Sequence, residues 1–276
     1  MRRAIVLALA AFATLAVAGP ALAARGAGDT LTVVTLNLWN DQQNWPRRRE
    51  LILAGLQAIH PDVICLEEVL QHAGLRNQAA DLAEALGYRY TFASVDPDSA
   101  PKRYGNAILS RHPMLETAWT RLQPLDDYRV AAHMRVDFNG RPVDVFVTHL
   151  HHTVEGGAIR AQQIANLLAW VETQRGKGPL VLAGDFNTDP TVPELKPVLA
   201  RYVDVFATLV PGADTVTTLN PAKGHPNRRI DYVFVPREGK SGPTPLSARR
   251  ILDQPAADGT WPSDHFGIAA QLLVKR

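Results

Sequence analysis

Short aliphatic runs recur along the chain, and several of them end in polar side chains that a buried strand has no need of. Residues 31–39 and 63–69 are β-rich, residues 47–59 between them carry apolar positions at helical spacing, and Pro61-Asp62 resets the chain between helix and strand. Further strands are predicted at 88–94, 106–110, 129–138 and 143–150. The second half repeats the arrangement: a long amphipathic helix at 158–174, a strand at 180–185, a short helix at 194–201, and late strands at 230–235 and 266–274. Alternating β and α elements with two strand clusters predict an α/β fold of two packed sheets flanked by helices. Residues 208–229, with their Gly, Pro, Asn and basic side chains, predict a long irregular loop that is functional or mobile.

The strand ends carry the chemistry. Gly184-Asp185-Phe186-Asn187 follows the run Pro179-Leu180-Val181-Leu182-Ala183, and a carboxylate and a carboxamide two residues apart in a strand project to the same side of the sheet. Four more strands share the design: Asn37 in Thr35-Leu36-Asn37-Leu38-Trp39, Glu67-Glu68 after Leu66, His149 in Thr148-His149-Leu150, and Asp231 in Arg229-Ile230-Asp231-Tyr232. Ser263-Asp264-His265-Phe266 adds an acid beside an imidazole just before the last strand. Each has a structural explanation by itself: a bulge at Asn37, a rim salt bridge at Glu68, a satisfied core imidazole at His149, loop caps at Asp231 and Asp264. Together they are too costly for an apolar scaffold unless they share a task.

The oxygen donors of Glu68, Asn37, Asp185 and Asp231 suit a hard divalent cation, Mg²⁺ or Mn²⁺. Zinc is less well served, since the chain has neither a paired-Cys site nor a His-Glu-x-x-His helix. A hard cation among His, Asp and Asn is what phosphate-ester hydrolysis requires: charge neutralised on the phosphate, a carboxylate for the attacking water, and donors for the transition state.

Composition narrows the setting. Arg2 and Arg3, the apolar stretch 4–18, Gly19-Pro20 and Ala21-Leu22-Ala23 read as a signal peptide over residues 1–23, leaving one domain at 24–276 and an expected secreted or periplasmic location after cleavage near Ala23. The competing reading is a retained membrane anchor. Cys65 is the only cysteine, so no intramolecular disulfide forms, and its aliphatic neighbours mark it as a buried small hydrophobe. Removing Arg2 and Arg3 from the full-chain charge of +2 leaves a mature domain of zero formal charge, without the basic footprint of a non-specific duplex binder.

The ordered set Asn37, Leu66-Glu67-Glu68, Gly105-Asn106-Ala107-Ile108-Leu109-Ser110-Arg111, Thr148-His149-Leu150, Gly184-Asp185-Phe186-Asn187, Arg229-Ile230-Asp231-Tyr232 and Ser263-Asp264-His265 resembles the endonuclease/exonuclease/phosphatase (deoxyribonuclease-I-like) superfamily. The resemblance runs from about Thr32 to the last strand, and both the order and the strand contexts agree. It implies a four-layer α/β sandwich, two mostly antiparallel sheets packed face to face and flanked by helices, with the site at one edge. It also implies Glu68 as principal metal ligand with Asn37 and Asp264 nearby, and Asp185 orienting the nucleophilic water. Asn187 and His149 would contact phosphoryl oxygens, Asp231 would complete the polar cluster, and His265, oriented by a carboxylate, would act on the scissile phosphate as base or transition-state stabiliser. Glu67 departs from the Gln of many relatives. Tyr104 is a candidate for the tyrosine used by some DNA-repair members.

For the substrate, Arg103, Arg129 and Arg229 adjoin motifs and are candidate phosphate contacts, because guanidinium matches phosphate bidentately. Arg160, Lys223, His225 and Arg228 are weaker candidates, and His151 and His152 are equally readable as loop residues. The leading expectation is a metal-dependent phosphoric ester hydrolase acting on a small or lipid-linked phosphodiester or phosphomonoester. A secreted non-specific nuclease is the alternative, so a nucleic-acid partner stays open, while no protein partner is implied. A non-catalytic binding module is disfavoured, because no motif carboxylate, Asn or His is missing.

Overall fold

The structure, a computed structural model, describes residues 28–237 and 242–275; the expected signal segment, residues 1–23, lies outside them. Among the described residues, one six-stranded sheet runs β11 (Thr244–Ile251), β12 (Gly267–Val274), β1 (Asp29–Asn37), β2 (Val63–Gln71), β4 (Arg103–Ser110), β3 (Arg89–Ser94). The second runs β5 (Met114–Arg121), β6 (Val130–Phe138), β7 (Arg141–His149), β8 (Leu180–Asp185), β10 (Asp231–Pro236), β9 (Tyr202–Asp204). Each sheet holds one parallel pair, β1 with β2 and β7 with β8, and is otherwise antiparallel. A parallel neighbour requires a crossover, and the two long helices supply it: α1 (Trp45–Ile59) joins β1 to β2, and α3 (Gly157–Gln174) joins β7 to β8. The shorter α2 (Gln78–Leu86), α4 (Lys196–Arg201) and α5 (Val205–Leu209) complete the fold.

Three apolar layers follow from the period-2 alternation of the strands. Leu31 and Val33 of β1, Val63 and Cys65 of β2, Val145 and Val147 of β7, Val181 and Ala183 of β8, and Val233 and Val235 of β10 meet between the sheets. Their neighbours Val34, Leu36, Ile64 and Leu66 pack under α1 and α2, while Phe146, Leu182 and Phe234 pack under α3 and α4. Carrying the inward set two residues further along β2, β7 and β8, four along β1 by way of Thr35, and two back along β10, arrives at Asn37, Glu67, His149, Asp185 and Asp231. Register then aligns them: Asn37 pairs with Glu67, His149 with Asp185, and Asp231 with Asp185. The polar residues therefore converge at one edge of the inter-sheet layer, at the carboxyl ends of both parallel pairs.

The expected four-layer sandwich is the observed fold, with five additions, one of them the short α5. β5 and β11 are the sheets' outer edges, and their largely solvent-facing residues carry no apolar run. β9 is only three residues long. α2 was legible but unread: Asn77 caps it by accepting from Ala80 N at 3.0 Å, and Gly87 ends it with φ +71°. The irregular loop is pinned to the Ser263-Asp264-His265 segment, with Asn220 N donating to Asp264 O at 2.8 Å and Phe266 N to Thr218 O at 2.6 Å.

Candidate active site

Asp185 lies at the centre of the converged edge, buried to 1 % exposure. Its Oδ2 accepts from Asn37 Nδ2 at 3.1 Å and faces His149 Nε2 at 3.4 Å and His265 Nε2 at 3.9 Å. Its Oδ1 accepts from the Asn187 amide at 2.9 Å. That turn needs glycine at 184, where φ is +135° and a Cβ would stand 2.0 Å from Thr148 O. Asn187, itself left-handed at φ 52°, donates from Nδ2 to Leu150 O at 3.0 Å, which holds it beside His149.

His265 is fixed from two sides. Asp231 Oδ2 meets its Nδ1 at 3.1 Å, the carboxylate partner the resemblance implied, and its backbone amide donates to Ser263 Oγ at 3.1 Å. Ser263 in turn donates to Asn37 O at 2.7 Å, tying this segment to β1. Opposite, a bulge between Leu66 and Val69 leaves Glu68 at φ 55°, turned into the cavity, where Oε2 accepts from Asn40 Nδ2 at 3.0 Å. Glu67 instead sits fully buried between the sheets, with Oε1 accepting from Thr35 Oγ1 at 2.8 Å. Asp264 Oδ2 lies 3.0 Å from His225 Nε2. The whole opens as a cavity of about 670 Å³ with Glu68, His149, Asp185, Asn187, Asp264 and His265 in its lining.

The charges are set by this crowding. Burial first, and Asp231 second, pushes the Asp185 carboxyl up to about 7. Burial acts against a charged His265, but Asp231, Asp185 and Asp264 outweigh it and hold the imidazole well above its usual range. Burial, then the Arg129 charge, drives His149 well below that range, so it is neutral. Glu67 is raised well above the carboxylate range by burial and by Asp231. The site thus pairs a carboxyl able to exchange a proton near neutrality with an imidazolium 3.9 Å away.

A hard cation fits these residues. Among the described residues no Lys or Arg forms a salt bridge with Glu68, Asp185, Asp231 or Asp264; the three aspartates have histidine partners, and Glu68 accepts from the Asn40 amide. Glu67 Oε2 and His149 Nδ1 are buried without a hydrogen-bond partner. Four carboxylates so poor in counter-charge make a site for added positive charge. Ligand atoms of Asp185, Asp231 and His265 come within 4.8 Å of one another. Asn37 is already engaged, its Oδ1 accepting from Trp39 N at 2.9 Å and its Nδ2 serving Asp185. Glu68 and Asp264 both line the cavity.

Of the three expected substrate arginines, only Arg129 reaches the cavity, where Tyr104, Tyr128 and His152 surround it. Arg103 pairs with Asp98 at 2.9 Å and lies over the Phe92 ring, outside the lining. Arg229 is a buried strut, bound to Asp204 at 2.7 Å and set against Tyr232 and Phe206. Both expectations are therefore corrected. Arg160 is likewise structural, joined to Glu194 at 2.9 Å and to loop carbonyls, whereas His225 and Arg228 do line the cavity. His151 is a strut between Asp127 (2.7 Å) and Thr153 (2.8 Å), while His152 faces the cavity. Asn40 and Tyr128 went unnoticed in the sequence; both are loop residues without a strand pattern to single them out.

A two-sheet sandwich with this carboxylate and imidazole cluster at the carboxyl ends of its parallel pairs has the architecture of a phosphoesterase. The chain belongs to the endonuclease/exonuclease/phosphatase family, whose profile matches residues 34–265. It is 28 % identical over 279 residues to Nocturnin of Drosophila melanogaster, covering 81 % of this chain and 41 % of that one. It is 24 % identical over 249 residues to Nocturnin of Rattus norvegicus, covering 81 % of this chain and 58 % of that one. The chain thus spans roughly half the length of these relatives. Among solved structures, a humanized D. rerio TDP2 carrying 14 mutations superposes with a TM-score of 0.73 at 22 % identity, covering 88 % of this chain and 98 % of that one.

Proposed function

We propose that the protein is an exported, Mg²⁺- or Mn²⁺-dependent phosphoesterase acting on a small or lipid-linked phosphoester. The observation that carries the hydrolytic reading is geometric: Asp185, buried to 1 % exposure, lies 3.9 Å from His265 Nε2, while Asp231 Oδ2 holds His265 Nδ1 at 3.1 Å. Glu68 and Asp264 would hold the cation, with Asn37 fixing the segment between them. When bound, it would supply positive charge to the phosphate oxygens and the leaving group.

The chain's own residues divide the remaining work. Asp185 accepts a proton from the attacking water, oriented by the amide of Asn187 and the side chain of Asn37. His265, kept cationic by Asp231, stabilises charge developing on the phosphoryl group. Neutral His149 and the Asn187 carboxamide contact the equatorial oxygens, and Arg129 binds the flanking phosphate oxygen or headgroup. Export rests on the signal-like residues 1–23, and the zero formal charge of residues 24–276 supports small or membrane-linked esters over duplex DNA.

A second reading is a nuclease acting on single strands, favoured by Tyr128, which is 64 % exposed at the cavity mouth and offers a ring for a base to stack on. A panel of duplex DNA, RNA, sphingomyelin and inositol phosphates, assayed at physiological salt with Mg²⁺, separates the two. Turnover of a small or lipid phosphoester is expected; efficient digestion of nucleic acid with negligible turnover of the others would replace the first reading by the second.

A further inference from the structure

Arg48, on α1, is fully buried, yet its guanidinium is spent on main-chain carbonyls. Its Nε donates to Pro262 O at 3.0 Å, its Nη1 to Asn40 O at 3.2 Å and Gln42 O at 2.9 Å, and its Nη2 to Leu38 O. The Trp39 and Trp45 rings cover it at 5.0 and 5.4 Å. A guanidinium is shaped for a carboxylate or phosphate, and burying one to bind carbonyls is an expensive way to build a loop. The loop concerned is itself strained: Trp39 (φ 56°), Asn40 (φ 38°) and Gln43 (φ 55°) are non-glycine residues in the left-handed region. Such conformations persist only where their surroundings over-determine them, and they gather at functional sites.

What the strained loop delivers is the Asn40 side chain, whose Nδ2 lies 3.0 Å from Glu68 Oε2. A second strut serves the same contact. Gln78 Nε2 donates to Asn40 O at 2.8 Å, and its Oε1 accepts from Leu70 N at 2.9 Å, just past the bulge that turns Glu68 inward. At the other end of the clamp, Pro262 immediately precedes Ser263-Asp264-His265. The two carboxylates that line the cavity from this side, Glu68 and Asp264, therefore hang from one guanidinium.

We infer that Arg48 is a positioning residue of the cation site: by locking residues 38–42 to Pro262 it sets Asn40 against Glu68 and fixes Asp264 opposite, and so governs how tightly the pair holds a divalent cation. This rests on the metal-dependent reading. It differs from a purely structural role in the quantity it controls, because a role confined to packing changes stability and leaves the affinity of the folded protein alone.

The test is Mn²⁺ binding by the wild-type protein, Arg48→Lys, Asn40→Ala and the double variant, followed by calorimetry and by the Mn²⁺ electron paramagnetic resonance signal, without substrate. Removing a residue that orients a ligand costs about 10- to 100-fold in metal affinity. Each single variant is expected to lose about tenfold or more, and the double variant no more than the worse single one, because both act through one relay. If Arg48→Lys melts earlier but binds Mn²⁺ as wild type does, or if the two losses multiply, the inference is overturned. Should Arg48→Lys fail to fold, Asn40→Ala decides, and wild-type affinity in that variant overturns it. Wild-type protein that binds no Mn²⁺ overturns the inference and the metal-dependent reading together, whereas normal wild-type binding with unaffected variants overturns the inference alone.

Discussion

Replacing Asp231 by Asn tests the imidazolium on which the proposed chemistry depends. The carboxylate lies 3.1 and 3.3 Å from His265 Nδ1, and both residues are more than nine-tenths buried. Two unit charges at that separation attract by about 5 kcal/mol at an effective dielectric of about 20. Desolvation offsets part of this, and the Asn oxygen can still accept a hydrogen bond. The net worth of a hydrogen bond to a charged group, about 1.5–3 kcal/mol, is then the better measure. If most of it is expressed in the transition state, kcat falls about 10- to 150-fold at 1.36 kcal/mol per decade. The pH dependence has a definite sign. Asp231 is the leading group holding His265 above its usual range, so its removal lets the imidazole deprotonate earlier and moves the alkaline limb of the rate profile to lower pH. The same raised pKa contributes stability that is full below the unfolded imidazole value of about 6.5 and is lost as pH rises through the folded value, a contribution the variant lacks. Hydrolysis of bis-p-nitrophenyl phosphate under saturating Mg²⁺, across about pH 5 to 10, reads both rate and limb. A variant with wild-type kcat and an unmoved alkaline limb would refute the reasoning.

Glu68→Gln should abolish metal-supported turnover, because it removes a hard anionic ligand at constant volume, whereas Glu67→Gln should leave turnover within a few-fold. Glu67→Gln keeps an acceptor for Thr35 and removes a buried acid whose neutral form is favoured; the native side chain loses stability as pH rises through its raised value, so the variant's advantage in urea unfolding should grow with pH. Equal loss of activity in the two variants would break the assignment. His265→Ala and His149→Ala should each lower single-turnover rates by at least about a hundredfold. His151→Ala should cost less in the chemical step, its partners Asp127 and Thr153 being loop struts, and the reverse ranking would mean the wrong imidazole had been chosen. Binding to duplex DNA, measured by fluorescence anisotropy, should be weak and fall steeply with added salt, since among the described residues Arg129 and Arg228 are the only guanidinium groups in the cavity lining; tight, salt-insensitive binding would contradict this.

The strand ends were readable because their placement follows from alternation alone. Once Val181 and Ala183 face the layer between the sheets, Asp185 must as well, and the same count along β1 and β7 brings in Asn37 and His149. What alternation does not reach was misjudged or missed. Arg229 adjoins a motif in sequence, but it sits before the strand begins, and its guanidinium turns to Asp204 rather than following Asp231. Arg103 opens β4 and is drawn to Asp98. β5 and β11 escaped notice because an edge strand with solvent on much of its surface needs no apolar run. In the sequence Arg48 is one basic residue among three on a helix, and only the tertiary fold brings the carbonyls of residues 38–42 and Pro262 around it.

The central claim is that the Glu68, Asp185, Asp231, Asp264 and His265 cluster hydrolyses phosphoesters with a divalent cation. Its most direct test is turnover of bis-p-nitrophenyl phosphate by purified protein stripped with a chelator, then titrated with Mg²⁺. No turnover is expected after stripping, and a saturable return on adding Mg²⁺. Turnover that survives the chelator unchanged, or protein that stays inactive at every Mg²⁺ concentration while remaining folded, would contradict it.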